Sequence, residues 1–304
     1  MKEYASAIER KGQRVVPGAN GTYWVRYESH ALMRMPPCCT DLPDPEELRL
    51  LFRHDKALLL SYLTKPNKEH PANAWLYVCS NSNYCRKTLA PPARRNINRG
   101  YAELRIASLS VHDVLAHGFQ AFRDTRTRVG VDDGTERMFQ QRFSQRANCS
   151  GHVFLGAWKS DKLAAFASIT EVEDWAVIEG CFSANDALPL RPNDTLVFHA
   201  LSHYLNEKGC RLVSYGASSI QSHGNRDSLH RFKIKMGFEA QPVHRAFVFH
   251  PFLRPFVNRI SFWGVNTLLR LNPGERRLKK LAGVLGVALG QSPIIGKATA
   301  PVVE

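Results

Sequence analysis

The chain is short of acid and lacks the markers of several common chemistries. Against 41 Lys and Arg it has only 27 Asp and Glu, a formal net charge of +14 and a pI near 9.7. Such a surface should attract something anionic: nucleic acid, a nucleotide cofactor or an acidic membrane. No two of its seven cysteines form a Cys-x-x-Cys pair, and Met1-Lys-Glu-Tyr-Ala-Ser6 has no apolar signal-peptide core, so a reducing, cytoplasmic setting is expected. No apolar run reaches the roughly 18 residues of a membrane span. A Gly-x-Ser-x-Gly elbow, a P-loop and a Rossmann fingerprint are all missing, which leaves hydrolase, kinase and dehydrogenase readings without support. Low-complexity tracts are absent too, and 304 residues with 44% hydrophobic content can bury one large core or two medium ones.

What is present organises itself around residues 175–239. Leu196, Val197, Ala200, Leu201, Tyr204 and Leu205 make an apolar stripe of period 3.6, with Asn193 or Asp194 as N-cap and Gly209 where a helix would end in the left-handed region. Strands are expected at 175–182 before this helix and at 211–216 after it, then a short basic helix over 228–236 and a closing strand or two over 240–250. Upstream, alternation and turns place a strand at 103–108, a helix from Ser110 to about Phe122, a helix over 135–145 and hairpin strands at 152–158 and 163–171. Weaker patterns suggest strands at 22–28, 31–35, 56–63 and 74–79 and helices at 46–52 and within 82–97. Gly100 reads as a joint, and residues 1–20 as a loose lead-in.

The resulting order, β-α-α-β-β-β-α-β-α-β(β), resembles the Gcn5-related N-acetyltransferase (GNAT) superfamily. Leu229-His-Arg-Phe-Lys-Ile-Lys-Met-Gly-Phe238 is similar to the Phe-Lys-x-x-x-Gly element of its FemAB-like branch, and Pro192-Asn193-Asp194 is similar to that branch's Pro-Asn helix start. The resemblance implies an α/β (α+β) fold, a mixed twisted sheet flanked by helices. Its domains would be a degenerate half over 21–99, a complete acyltransferase half over 100–251 and a basic amphipathic helical tail over 252–304.

It further implies an acyltransferase that moves an acyl or aminoacyl group from acyl-CoA or aminoacyl-tRNA to an amine or hydroxyl acceptor by direct attack, with no permanently bound cofactor. Lys233 stands where classical members have a Tyr, and its ammonium would steady the oxyanion or protonate the leaving group. Glu179 in mid-strand is a general-base candidate with a raised pKa, and Tyr215 is the third catalytic candidate. The donor's phosphates would meet Arg191, Asn193, Asp194 and Thr195 at the helix start, Ser218 in the next loop with Ser219 and His223 beside it, and Arg231 and Lys235 on the basic helix. Classical members hold coenzyme A with a Gly-rich loop; here the stretch is Leu188-Pro-Leu-Arg-Pro-Asn-Asp194, so the donor stays open.

Three further features carry alternatives. His199 and His203 share one helix face at a zinc-compatible spacing, but no third ligand is evident and no metal is expected. Residues 86–99 carry five cations and no acid, flanked by Tyr84 and Tyr101. That pairing supports a rival reading, a non-catalytic nucleic-acid-binding protein on the same fold, with tRNA as one partner. Finally, Phe256, Val257, Ile260, Trp263, Gly264, Thr267, Leu268 and Leu271 form an amphipathic stripe, and residues 252–304 hold eight Lys and Arg against two Glu. Such a tail either docks on its own domain or lies peripherally on an anionic membrane at the inner face.

Overall fold

The computed structural model describes residues 2–10, 12–28, 30–130, 135–146, 151–220 and 226–290. In chain order the elements are α1 (Lys2–Arg10), β1 (Val15–Pro17), β2 (Tyr23–Glu28), β3 (Ala31–Met35), α2 (Pro45–His54), β4 (Leu59–Thr64), β5 (Ala74–Cys79), α3 (Pro91–Glu103) and β6 (Arg105–Leu109). There follow α4 (Val111–His117), α5 (Phe119–Arg128), α6 (Glu136–Ser144), β7 (His152–Lys159), β8 (Lys162–Val172), β9 (Trp175–Ser183), α7 (Pro192–Ser202), β10 (Leu212–Ala217), α8 (Arg226–Lys235), β11 (Glu239–Phe249), α9 (Arg259–Leu271) and α10 (Arg276–Ala288). They group into two compact units that interleave along the chain: 1–14, 77–216 and 225–240 form the first, and 15–76, 217–224 and 241–304 the second.

The first unit holds a mixed sheet. β6, β7, β8 and β9 pair antiparallel in that order, and β10 runs parallel to β9. The α7 crossover between the last two supplies the length that a parallel pair requires. One side of this sheet rests on a cluster of rings, Phe122, Phe139, Phe143, Phe154, Phe166 and Phe182, joined by Leu109, Val114 and Leu163. The element order from β6 to β11 is the one expected for the GNAT fold, with one closing strand at its end and one local difference. The single helix expected over 110–122 is split at Gly118, where a Cβ would lie 2.7 Å from the Val114 carbonyl oxygen.

The second unit is also built on a mixed sheet, in the order β1, β2, β3, β4, β11, with only β3 and β4 parallel. Its core gathers Trp24, Leu32, Leu51 and Leu60, and the Trp24 indole donates to Glu47 Oε1 at 2.6 Å. α9 and α10 pack together in this unit. Among the described residues no helix is long and apolar enough to cross a membrane.

Local chemistry explains most boundaries. Ser110 and Asp113 cap α4 reciprocally, side chain to backbone in both directions. α7 begins at Pro192, ahead of the expected N-caps Asn193 and Asp194, because proline is pre-set for the first helical position. Its helical run continues through Glu207, and Gly209 then takes φ 66°, as the αL exit requires. Two expectations fail. Residues 2–10 are helical, with Ala5 and Ile8 buried, where a loose lead-in was expected. Gly100 is no joint: α3 runs through it to Glu103, and a Cβ there would sit 1.8 Å from Thr195 Oγ1. The glycine is what lets α3 lie close against α7.

Candidate active site

Pairing between β9 and β10 covers only Trp175–Val177 against Leu212–Ser214. Beyond it both strands continue, β9 to Ser183 and β10 to Ala217, without a shared register. Backbone groups and side chains of two strands thereby become available at one point of the sheet. α8 delivers Lys233 to that point, and its Nζ donates to the Tyr215 carbonyl, one residue past the last pair, at 3.0 Å.

The Lys233 ammonium is almost completely enclosed, at 3% exposure. It lies 4.0 Å from the centroid of the Tyr77 ring and 4.6 Å from that of Tyr215, two aromatic faces that compensate part of its lost hydration. The compensation is incomplete: burial pulls its pKa down from 10.5 to about 7. Around it the other protons are held tightly. Burial pushes the Cys181 thiol up to about 11, which keeps it protonated. Burial and the Cys181 side chain, to which it hydrogen-bonds, push the Tyr215 hydroxyl well above its ordinary range. Tyr77, raised to about 12 by burial, shares a hydrogen bond of 2.9 Å with His230 Nδ1. Burial thus moves Lys233 toward neutrality while it moves Cys181, Tyr215 and Tyr77 away from it.

Glu179 occupies a β-bulge. Ile178 pairs with Ile169 and Gly180 with Ser168, so Glu179 is the extra residue between them, re-aimed as bulged residues are. Its carboxylate meets Arg146 at 2.8 Å and accepts from the Thr170 hydroxyl at 2.7 Å. Arg146 also reaches Ser168 Oγ at 2.5 Å and His152 Nε2 at 3.2 Å, and His152 Nδ1 contacts Thr170 Oγ1 at 3.2 Å. Glu179, the general-base candidate of the sequence, is thus an ion-paired member of a five-residue polar network. The arrangement fixes the direction of its oxygens.

The α7 start separates the expected donor-binding residues into two kinds. Arg191 is exposed and takes φ 60° immediately before Pro192, with no side chain capping the helix. Asn193 donates to Ser183 Oγ at 3.2 Å, and its Oδ1 is buried without a hydrogen-bond partner. Thr195 is fully buried against Gly100, its hydroxyl on the Arg191 carbonyl at 3.3 Å, which turns it away from any donor. Asp194 is buried and accepts from Asn96 Nδ2 at 2.9 Å and from Lys235 Nζ. Lys235 is therefore the counter-ion of Asp194 with 27% of its side chain exposed, and Arg231 is exposed.

The Asp194–Lys235 pair yields a stability prediction. Their side chains are 9% and 27% exposed, so Lys235→Met should strand a desolvated carboxylate and cost about 2 kcal/mol, below the full penalty of a wholly buried pair. Adding Asp194→Asn should restore most of that loss in urea unfolding. Additive single effects would show that the pair does not couple.

Ser218 belongs to the second unit, where its N–H donates to the Trp75 carbonyl at 2.7 Å and its hydroxyl accepts from the Trp75 N–H at 3.0 Å. His223 lies outside the described residues. His199 contacts the Tyr101 hydroxyl at 3.2 Å and His203 meets Glu207 at 2.7 Å, so each histidine has its own partner. Tyr84 is buried, donating to the Met236 carbonyl at 2.8 Å, and Tyr101 packs edge-on against Phe198. Tyr84 thus belongs to the interior of the unit, whereas Tyr101 is half-buried with the Arg86 guanidinium 5.6 Å from its ring centroid, and Arg94, Arg95 and Arg99 remain exposed on α3.

Sequence reasoning did not find Cys181, Tyr77, His230 or Arg146. Cys181 had only its nearness in sequence to Glu179 as a signal, because the bulge breaks the alternation between them: Cys181 pairs with Ala167, whereas Glu179 meets the Ser168 and Thr170 side chains of the other face. Arg146 had none, because its pairing with Glu179 depends on tertiary placement.

No family model and no curated protein sequence matches the chain. Solved structures do. The C-terminal domain of a putative lysylphosphatidylglycerol synthetase from Agrobacterium fabrum aligns with a TM-score of 0.54 at 17% identity, over 80% of this chain and 86% of that one. FemX aligns with a TM-score of 0.56 at 8% identity, over 90% and 93%. L-PGS from Bacillus licheniformis gives 0.52 at 14%, over 80% and 86%. The chain has the GNAT fold of these proteins.

Proposed function

We propose that this chain is an acyltransferase, moving an acyl or aminoacyl group from a phosphate-bearing activated donor to an amine or hydroxyl acceptor. The observation that carries the reading is Lys233, an enclosed amine that titrates near neutrality at the point where β9 and β10 part. Similarity of fold to FemX and to lysylphosphatidylglycerol synthetase domains supports the same class.

In this reading the acceptor's lone pair attacks the donor carbonyl, giving a tetrahedral oxyanion with no covalent enzyme intermediate. Protonated Lys233 stabilises that oxyanion and passes its proton to the departing thiolate or ribose oxygen, while the acceptor's own proton leaves to Glu179 or to solvent. Lys233 regains its proton from water, which a pKa near 7 permits at neutral pH. Held by Arg146 and Thr170, Glu179 is a fixed acceptor that orients the nucleophile.

Arg191 is the proposed donor contact. A non-glycine residue in the left-handed region costs about 1–2 kcal/mol, and strain of this kind concentrates at functional sites. Arg191→Gly should therefore leave stability unchanged or slightly higher while raising the donor KM several-fold at little cost in kcat. An unchanged donor KM would remove Arg191 from the site. The class itself is tested by offering a panel of acyl-CoAs and charged tRNAs with amine, polysaccharide, lipid and peptide acceptors. Absence of transfer from every donor, together with nucleic-acid binding whose salt slope reflects several phosphate contacts, would favour a binding protein instead.

A further inference from the structure

Of the apolar stripe foreseen along 256–271, the residues on α9 lie on the side that the described residues leave exposed. Phe256 is 60% exposed, Ile260 80%, Trp263 70% and Leu271 79%, with Phe252 at 71% just before the helix. At 3.6 residues per turn, Ile260, Trp263, Thr267 and Leu271 fall within an arc of about 80°, a strip about 17 Å long. The opposite side of α9 does the packing. Leu269 is buried, and the Phe262 ring lies 3.3 Å from where a Cβ on Gly286 of α10 would be. A helix apolar on both sides, one side already used within the unit, leaves the other for something outside it.

Charge identifies that partner. Arg254, Arg259 and Arg270 are exposed around the stripe, and Arg259 and Arg270 fall along the same edge of it. α10 adds Arg277, Lys279 and Lys280. The single acid between Pro251 and Gly290 is Glu275, whose carboxylate is engaged in capping α10 through the Arg277 N–H at 3.0 Å. Aromatic and aliphatic side chains flanked by cations, with no exposed acid along α9, match a lipid surface carrying negative headgroups. The strip is one side chain wide, which suits insertion into the boundary between headgroups and acyl chains. It falls short of the roughly 800 Å² per partner that a standard protein interface buries.

We infer that α9 is a peripheral membrane-docking element, inserting Ile260, Trp263 and Leu271 into the interface of an anionic bilayer while Arg259 and Arg270 meet its headgroups. The inference is independent of the proposed chemistry, since it uses no residue of the candidate active site.

Flotation of the full chain with phosphatidylcholine vesicles, and with the same vesicles containing either phosphatidylglycerol or phosphatidylserine, tests it. Binding to both anionic mixtures and not to phosphatidylcholine alone is expected, and it should weaken as salt shortens the screening length from about 10 Å at 0.1 M to about 3 Å at 1 M. Ile260→Glu with Trp263→Glu should reduce partitioning at least about tenfold, with unchanged melting temperature and unchanged transfer to a soluble acceptor. Four results would overturn the inference: no binding, equal binding to neutral vesicles, equal binding by the variant, or a lowered melting temperature that reveals the stripe as covered core. A self-association of the wild type that the variant abolishes would assign the stripe to a second copy of the chain and overturn it as well.

Discussion

We expect Lys233→Met to lower turnover by about 10²–10⁴-fold and, in the same protein, to raise the free energy of unfolding. The two effects have one cause. Enclosing the ammonium moves its pKa from 10.5 to about 7, so the folded state holds that charge at a penalty on the order of a few kcal/mol near neutrality. Methionine keeps the unbranched stem between the Tyr77 and Tyr215 rings and removes the charge. Between pH 7 and 10.5 the unfolded chain binds one more proton at this site than the folded one, so stability of the wild type rises with pH over that window. The advantage of the variant should therefore be greatest at and below pH 7 and fade as pH approaches 10.5. Cys181 and Tyr215 also titrate at alkaline pH, and for that reason the difference between the two proteins, rather than either curve alone, isolates the lysine. Urea unfolding at a series of pH values gives one half of the result and initial rates at saturating donor the other. Retained turnover would take Lys233 out of the mechanism. A variant both inactive and destabilised would make it a structural cation.

A destabilising group kept inside a protein is a mark of chemistry, because selection for stability alone would replace it. The surroundings of Lys233 show how the fold tolerates it. The Tyr215 carbonyl lies just past the last β9–β10 pair, and Lys233 donates to it there, so one backbone acceptor and one buried donor satisfy each other. The two rings supply the remaining attraction.

How much of this the sequence carries depends on how local each signal is. The α7 stripe, its Gly209 exit, the Ser110 cap and the hairpin order are written in neighbouring residues, and they appear where expected. Lys233 was identified through Phe232-Lys233-x-x-x-Gly237 and needs no tertiary knowledge. The bulge at Glu179 escaped because a strict period of two has no place for an inserted residue. Its partner Arg146 escaped because 33 residues separate them, and the pairing of Lys235 with Asp194 escaped because 41 residues separate those two. Gly100 was taken for a joint since an isolated glycine looks alike whether it bends a chain or admits a neighbouring helix. Only the position of Thr195 distinguishes the two. Interleaving of the two units has no local signature at all.

Phe143→Ala should be the most destabilising of single core truncations in the first unit. The residue is fully buried, and its ring lies 5.1 Å from Phe139, 5.4 Å from Phe166, 5.8 Å from Phe122 and Phe154 and 5.9 Å from Phe182, centroid to centroid. It ties α6 to three strands and to α5 at once, so no single neighbour can move in to fill the space. A loss of about 3–5 kcal/mol is expected, against roughly 1–2 kcal/mol for Phe143→Leu, which keeps most of the volume. The same ring seats Arg146, whose guanidinium carbon is 5.3 Å from its centroid, and Arg146 holds Glu179. Phe143→Leu should then lower kcat more than its small stability loss explains, at unchanged donor KM, if Glu179 orients the acceptor. Urea unfolding followed by the fluorescence of Trp158 and Trp175, with initial rates on the leucine variant, measures both. A cost for alanine below about 1 kcal/mol would mean that the ring cluster is not the core of this unit. A leucine variant with wild-type kcat would separate Arg146 and Glu179 from the chemistry, leaving Lys233 as the residue on which the proposed reaction rests.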